Sequence, residues 1–275
     1  MTSQLDDRIF EALKGEMVPK FLATQDESGV PNVVPIITIQ PYDRETLIFG
    51  NFLMDKTEKN LLKNQEVSVT FITEDLFGAT IRGRFQGFQK VGEYADLISS
   101  GSFIRYNAYT GIRNAGSIKI SDISEVFQLS KLDVLFGNLS SKLHLGPGRR
   151  QTKKLAVMHP LVAKKFGLIP AVKVIAFRDD RGFPSAVPVM SVQPAAPDVL
   201  VFRKKPMAPY LKNLQENARV AACVITMEPV AFQVKGVYKN LSAKQGAIIL
   251  NQAYHASPPF VGKEIVQKQV MGSGS

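Results

Sequence analysis

The sequence repeats itself, and this repeat limits the folds that the chain can adopt. A shift of 153 positions aligns residues 21–83 with residues 174–236 without a gap, and 19 of the 63 aligned positions are identical. The identities include Gly29 with Gly182 and Pro35 with Pro188. Because glycine frees φ and proline fixes it, identity at such positions indicates a shared backbone path. The repeat therefore predicts two copies of one folding unit.

Strand patterns dominate the first copy. Val33–Gln40, Thr46–Gly50, Val67–Thr73 and Thr80–Gln89 are rich in β-branched or alternating residues, whereas Lys56–Asn64 has a helical pattern. Five or six strands with a single short helix favour a small antiparallel barrel over a βαβ sheet. The predicted fold class is therefore mainly β, a β-barrel with a few helices, present twice.

The flanks of the first copy carry further signals. Leu5, Ile9 and Leu13 fall on one face of a predicted N-terminal helix, which Ser3 would cap and Gly15 would end. After the copy, Ile118–Leu129 is predicted to add a final strand.

Composition and charge define the class of chain. With 45% hydrophobic and 21% charged residues, the composition is that of a globular protein. The net charge is +10, but seven basic residues and no acidic residue lie between Lys142 and Lys165. Such a block is typical of a solvated connection and argues against nucleic acid as the partner. We divide the chain into a first barrel at residues 1–130, a basic linker at 131–170 and a second barrel at 171–271.

Location signals are weak. Cys223 is the single cysteine and lies in an apolar strand pattern, so no intramolecular disulfide can form and an inert core thiol is expected. The longest uninterrupted apolar run is Val220–Ile225, which is far too short to cross a membrane. Met1–Arg8 has no apolar stretch behind a basic start, so no signal peptide is expected. We expect a cytoplasmic protein without a membrane partner.

One helix start has the chemistry of an anion site. Asp55 stands at a predicted N-cap, and Glu58 three residues later completes a capping-box pattern. Lys56 and Thr57 then fall in the first turn, where backbone N–H groups lack partners and the helix dipole is positive. An ammonium, a hydroxyl and free amides suit a phosphate, although an ordinary surface helix can start in the same way.

The order and spacing of the motifs resemble the FMN-binding split barrel of the pyridoxamine 5′-phosphate oxidase-like superfamily, and above all its small FMN-binding proteins. The resemblance covers Pro19–Phe88 and returns more faintly over Val172–Lys239. It rests on Phe21-Leu22-Ala23-Thr24, Gly29-Val30-Pro31-Asn32-Val33-Val34-Pro35, Leu47-Ile48-Phe49, Lys56-Thr57-x-x-Asn60-Leu61, Val67-Ser68-Val69 and Ile81-Arg82-Gly83.

The resemblance implies FMN bound non-covalently between two such barrels. By position, Lys56 and Thr57 would hold the FMN phosphate, and Asn60 would bind nearby or brace the helix. The remaining implied cofactor residues lie along the ring and the ribityl chain: Pro35, Ile36, Thr38, Gly50 and Asn51. No metal site and no catalytic acid/base pair is indicated by the sequence.

The second copy differs at the implied phosphate site. Asp55, Lys56 and Thr57 align with Ala208, Pro209 and Tyr210, so the cap, the charge and the small hydroxyl are absent. Proline suits a first helical turn, so we expect the helix to persist without its phosphate site. Arg203–Lys205 lies just upstream and could compensate. The simplest arrangement is an intramolecular pseudo-dimer in which one half keeps a flavin site and the other supplies the opposite wall.

Several alternatives stay open at this point. The cofactor could be a deazaflavin or haem in place of FMN, and further homodimerisation is possible. A non-catalytic barrel whose basic linker binds a polyanion is the alternative from another class. The electron partner, whether a small molecule or a redox protein, is not indicated.

Overall fold

The computed structural model describes residues 3–101, 111–134, 137, 157–228 and 230–265, and strands dominate these ranges. The first unit comprises α1 (Asp7–Lys14), β1 (Lys20–Gln25), β2 (Pro31–Pro35), β3 (Gln40–Pro41), β4 (Thr46–Asn51), α2 (Asp55–Lys63), β5 (Glu66–Ile72), β6 (Phe77–Gln89), α3 (Glu93–Ser100) and β7 (Asn114–Gln128). The second unit comprises α4 (Pro160–Phe166), β8 (Val172–Arg178), β9 (Pro184–Pro188), β10 (Gln193–Ala196), β11 (Val199–Arg203), β12 (Arg219–Ile225), β13 (Ala231–Asn240) and β14 (Gln245–His255).

The two units share one strand order. The first sheet runs β2-β1-β5-β6-β7-β4-β3, and the second, read from its other end, runs β9-β8-β12-β13-β14-β11-β10. The pairings between these strands are antiparallel. Since each strand of the first sheet has its counterpart at the same place in the second, the predicted mainly β fold of two tandem split barrels is confirmed.

The units pack against each other through the strands that open each repeat. Phe21, Ala23 and Val33 of the first unit share a fully buried cluster with Val174 and Ala176 of the second. The repeat relates Phe21 to Val174 and Ala23 to Ala176, so the two halves contribute equivalent faces. This apolar cluster joins the barrels as a subunit interface would join two chains.

Polar contacts across the interface follow the same pseudo-twofold relation. The Oγ1 of Thr80 donates to the carbonyl oxygen of Ala186 at 3.0 Å. The counterparts of these residues are Gln233 and Val33, and the side-chain amide of Gln233 donates to the carbonyl oxygen of Val33. Two equivalent bonds on either side of one axis define the intramolecular pseudo-dimer.

The cap of α1 differs from the prediction. Asp6, not Ser3, is the N-cap, and its Oδ1 accepts a hydrogen bond of 2.7 Å from the backbone N–H of Ile9. Ser3 lies too far before the first turn to reach its amides. Gly15 ends the helix, and Leu5, Ile9 and Leu13 are buried, as predicted.

This cap gives a stability prediction. Asp6→Ala should lower the free energy of unfolding by about 1 kcal/mol, because it leaves a first-turn amide without its acceptor. Ser3→Ala is the matched control and should leave the stability within about 0.5 kcal/mol of the parent. Urea unfolding followed by circular dichroism measures both, and an equal loss from the two variants would contradict the assignment.

The expected linker contains an ordered helix. Within residues 131–170, α4 occupies the place relative to β8 that α1 occupies relative to β1, since the 153-residue shift carries Asp7 onto Pro160. Val162 and Phe166 of α4 are buried in the core of the second unit. The repeat therefore extends to the helix that precedes each barrel, and residues 138–156 lie outside the described residues.

The helix expected to persist in the second copy does not form. Where the first unit has α2, residues 208–213 form turns. Pro209 suits a helix start, but the first turn of α2 is not kept: Asp55, Lys56, Thr57 and Glu58 are replaced by Ala208, Pro209, Tyr210 and Leu211. Leu211 and Leu214 are instead held by the second core.

Two smaller expectations concern exposure. Cys223 is fully buried, and its burial raises the pKa of its thiol, which confirms an inert core residue. In the described part of the chain, no helix combines the length and the apolar character needed to cross a bilayer.

Candidate functional site

A cavity of about 360 Å³ lies where α2 of the first unit faces β13 and β14 of the second. Its volume is within the range of small-molecule sites. Both units contribute to its wall, so the site exists only in the pseudo-dimer. The lining residues are Asn32, Val34, Leu53, Met54, Asp55, Lys56, Thr57, Lys59, Gln233, Tyr254, His255, Ala256, Val261, Gly262 and Lys263.

The start of α2 differs from the predicted capping box. The helix begins at Asp55, and its N-cap is Met54, which provides no side-chain hydrogen bond. Asp55 pairs with Arg113 at 2.7 Å, and Glu58 accepts a 2.8 Å bond from the side-chain amide of Asn51. Both carboxylates bind partners outside the helix, so neither caps the backbone N–H groups of the first turn. The positive end of α2 therefore faces the cavity without a side-chain cap.

Two lysines from different units meet at this helix start. Lys56 belongs to α2, and Lys235, on β13, is 4% exposed. Burial and the adjacent Lys56 ammonium lower the pKa of Lys235 to about 7. Burial also lowers the pKa of Lys56, whose Nζ lies 4.2 Å from the ring centroid of Tyr254. Among the described residues, neither ammonium forms an ion pair within 4.0 Å.

The nearest compensating charge is Asp26, in the turn between β1 and β2. Its Oδ1 accepts bonds from the backbone N–H groups of Ser28 and Val30 at 3.0 and 2.9 Å. Although burial opposes ionisation, these bonds hold the pKa of Asp26 below its usual value. The carboxylate therefore stays charged, but its hydrogen bonds serve the turn. Glu264 also favours the charged form of Lys56, but neither carboxylate forms an ion pair with the two lysines among the described residues.

A row of buried polar side chains continues from the lysines into the first unit. The side-chain amide of Asn32 donates to Oγ1 of Thr57 at 3.2 Å. The side-chain amide of Asn60 donates to Oγ1 of Thr24 at 3.1 Å. Thr57 is thus held at the cavity wall, whereas Asn60 braces α2 against β1.

The structure separates the predicted cofactor residues into two groups. Lys56 and Thr57 line the cavity. Asn60 binds Thr24, as described above. The other five lie at the end of β2, in the turn after it and on β4: Pro35, Ile36, Thr38, Gly50 and Asn51.

This second group has packing and hydrogen-bonding roles. Ile36 is buried in the first core, and Oγ1 of Thr38 accepts a 3.0 Å bond from the backbone N–H of Gly50. A side chain at Gly50 would come within 3.0 Å of Ile98 and Ile112. Asn51 is fully buried, and its Oδ1 has no hydrogen-bond partner among the described residues. These residues shape the β2–β4 region and do not line the cavity.

The sequence predicted that the second unit supplies the opposite wall, but it did not identify the residues of that wall. Gln233, Lys235 and Tyr254 approach α2 only after the chain folds back on itself. A signal was available on β13, where Gln233 and Lys235 alternate with Phe232 and Val234. The period of two placed both polar residues on one face, and the repeat aligned that face with Thr80 and Arg82.

The lysine pair predicts pH-dependent anion binding. Bound phosphate should raise the pKa of Lys235 from about 7, so binding takes up protons and weakens as the pH rises from 7 to 9. Below about pH 6 the phosphate monoester itself protonates, so affinity should be greatest near pH 6–7. Calorimetric titrations in buffers of different ionisation enthalpy measure the proton uptake. Equal affinity at pH 6.5 and 9 would contradict the role of Lys235.

The first unit is similar to a known protein family. Residues 7–121 match the family model described as Pyridoxamine 5'-phosphate oxidase. An uncharacterized protein of Methanocaldococcus jannaschii is 40% identical over 97 residues. These residues are 34% of this chain and 62% of the archaeal protein, so the chain spans less than two thirds of that relative.

Solved structures give a fainter likeness. An FMN-binding protein from Syntrophomonas wolfei is 19% identical over 45% of this chain and 87% of its own, with a TM-score of 0.40. HupZ of Group A Streptococcus is 18% identical over 46% of this chain and 95% of its own, with a TM-score of 0.37. These scores are too low to establish a common fold by themselves. The first unit therefore matches the pyridoxamine 5′-phosphate oxidase family over residues 7–121, and the second unit repeats the strand order of the first.

Proposed function

We propose that the chain is a flavoprotein of oxidoreductase type that binds FMN in the cavity between its two units. The observation that carries the proposal is the pair of side-chain nitrogens of Lys56, which lines this cavity, and of Lys235, which lies against Lys56; neither forms an ion pair among the described residues. Two neighbouring buried cations repel each other, and a dianion between them would relieve that repulsion. The terminal phosphate of FMN has this charge.

The rest of the cavity suits the body of a flavin. Val34, Leu53, Met54 and Val261 provide apolar surface, and Tyr254 provides an aromatic ring. Flavin sites combine such surface with a few well-placed polar groups. The residues present therefore fit the cofactor that the family implies.

The protein's own groups would bind and orient the cofactor. Lys56 and Lys235 would hold the phosphate, and the uncapped first turn of α2 would direct N–H groups towards it. Asn32 fixes the hydroxyl of Thr57 at the same wall. Because the wall comes from both units, their packing would keep water from the buried end of the site. When bound, the flavin would supply the electron-transfer chemistry.

A spectroscopic titration tests this proposal. The purified protein is titrated with FMN, with a deazaflavin and with haem, and the bound ligand is measured by visible absorbance after gel filtration. Retention of FMN, with loss in Lys56→Met, is expected. His255 lies in the cavity and burial lowers its pKa, so a neutral imidazole is available to haem iron. Retention of haem or deazaflavin without FMN would overturn the proposed cofactor, and retention of none would overturn flavin binding.

A further inference from the structure

The pseudo-twofold axis creates a second copy of the cation site, and its charges are arranged differently. The repeat places Arg82 where the other side has Lys235, and Asp179 where it has Asp26. Arg82 Nη2 lies 2.8 Å from Asp179 Oδ2, and its Nη1 lies 3.4 Å from Asp122 Oδ1. Arg181 Nη1 lies 3.0 Å from Asp122 Oδ2. We call these four residues the Arg82 cluster.

Three of the four members of the cluster are buried, whereas the side chain of Arg181 is 41% exposed. The side chains of Arg82, Asp122 and Asp179 are 8, 11 and 2% exposed. Arg82 Nε and, on the neighbouring strand, Glu125 Oε2 have no hydrogen-bond partner among the described residues. A buried donor without an acceptor is the feature that an anion-binding site would use.

Two further positions differ between the two sites. Tyr210 replaces Thr57, and its hydroxyl donates to the carbonyl oxygen of Val126 at 2.9 Å. Glu125 pairs with Thr80 across β7 and β6, as Tyr254 pairs with Gln233 across β14 and β13. Glu125 therefore stands where the first site has the aromatic ring over which Lys56 lies.

The two sites differ in their ion pairs. Among the described residues no carboxylate lies within 4.0 Å of the side-chain nitrogens of Lys56 and Lys235, whereas Asp122 and Asp179 pair with the guanidinium groups of the Arg82 cluster. The additional carboxylate, Asp122, comes from β7 and lies between both guanidinium groups.

We propose that Asp122 is a built-in replacement for a ligand's anion: the second site is an anion site that the chain fills itself, so that each chain takes one anionic ligand. The proposal depends on the proposed function only in what it says about the first site. Removing the Asp122 carboxylate would take from Arg181 its ion pair and leave Arg82 with Asp179 and the nearby Glu125, whose pKa burial raises to about 7. The cluster would then accept a small oxyanion such as inorganic phosphate.

Thermal unfolding in inorganic phosphate, at constant ionic strength and without flavin, tests the second site. Phosphate at several times its dissociation constant should raise the melting temperature of Asp122→Ala by about 2–4 °C more than that of the parent. Asp122→Asn is measured in parallel because it keeps the side-chain shape. Asp7→Ala is the matched control, since it removes a carboxylate from the exposed pair between Arg44 and Asp7. This control should show the parental response.

Each outcome decides the proposal. A gain in both Asp122 variants but not in Asp7→Ala supports it, and the parental response in both Asp122 variants overturns it. Should neither variant fold, the count of FMN per parent chain decides: one supports the proposal and two overturn it. Absence of flavin binding would overturn the proposed function, whereas the phosphate response of the Asp122 variants would still report on the second site.

Discussion

Replacing Lys235 with methionine is expected to weaken FMN binding by about 10- to 100-fold. The ammonium of Lys235 would donate charge-assisted hydrogen bonds to the phosphate, and such bonds are worth about 1.5–3 kcal/mol each. Lys56→Met should have an effect of the same size, because the two ammonium groups face one another. Fluorescence quenching of FMN at pH 7 measures the dissociation constants. Riboflavin, which lacks the phosphate, should bind the parent and both variants with equal affinity.

Two controls distinguish loss of a ligand contact from loss of the fold. Because burial lowers the pKa of Lys235, its charged form is destabilised in the free protein. Lys235→Met should therefore leave the unliganded protein at least as stable as the parent. Lys212→Ala, in the second copy, should leave FMN affinity unchanged. An affinity loss shared by Lys212→Ala, or a destabilised Lys235→Met protein, would contradict the assignment of the phosphate site.

The second large effect concerns Arg82. Arg82→Met should lower the free energy of unfolding by about 3 kcal/mol at pH 7, because it leaves the buried Asp179 carboxylate without its cation. The lower end of the usual 3–5 kcal/mol range applies, since Asp179 keeps hydrogen bonds from the backbone N–H groups of Arg181 and Phe183. Arg84→Met is the matched control on the exposed face of β6 and should cost less than about 0.5 kcal/mol.

A double variant gives a separate check. Asp179→Asn removes the buried charge that Arg82→Met leaves unpaired, so adding it to Arg82→Met should recover part of the stability at pH 7. Denaturant unfolding of the two variants measures the difference. A double variant that is no more stable than Arg82→Met would show that Arg82 acts through packing alone.

Because of the repeat, the fold could be predicted from the sequence. Turn residues such as Gly29 and Gly182 shared one spacing, and strand-forming runs followed each of them, so two copies of one barrel could be inferred. The end of the short strand β2 (Pro31–Pro35) could not be predicted in the same way. The apolar run Val33–Gln40 continues past Pro35, but the chain turns at residues 36–39, where Ile39 bonds back to the carbonyl oxygen of Ile36.

Only the residues that the first unit contributes to the candidate site could be predicted from the sequence. Local signals identified Lys56 and Thr57, because a helix start leaves a pattern within a few residues. Lys235 and Tyr254 lie almost two hundred residues away, and only the packing of the second barrel brings them to α2. The capping box failed for a related reason. Arg113 attracts Asp55 through a tertiary contact that a local pattern does not contain.

Duplication within one chain allows the two halves to diverge in a way that a homodimer cannot. In a symmetric dimer both interface sites carry the same side chains. Here one site holds Lys56 and Lys235, whereas the other holds the Arg82 cluster and Tyr210. The fused chain can thus use one side of its axis for a ligand and the other for stability.

The most direct test of this account compares FMN with riboflavin on the parent protein. The two ligands share the ring and the ribityl chain and differ in the phosphate, so the ratio of their dissociation constants isolates the contribution of the lysine pair. The account predicts that FMN binds about 100-fold or more tightly than riboflavin at pH 7, one molecule per chain. Equal affinities for the two would contradict a phosphate site between Lys56 and Lys235.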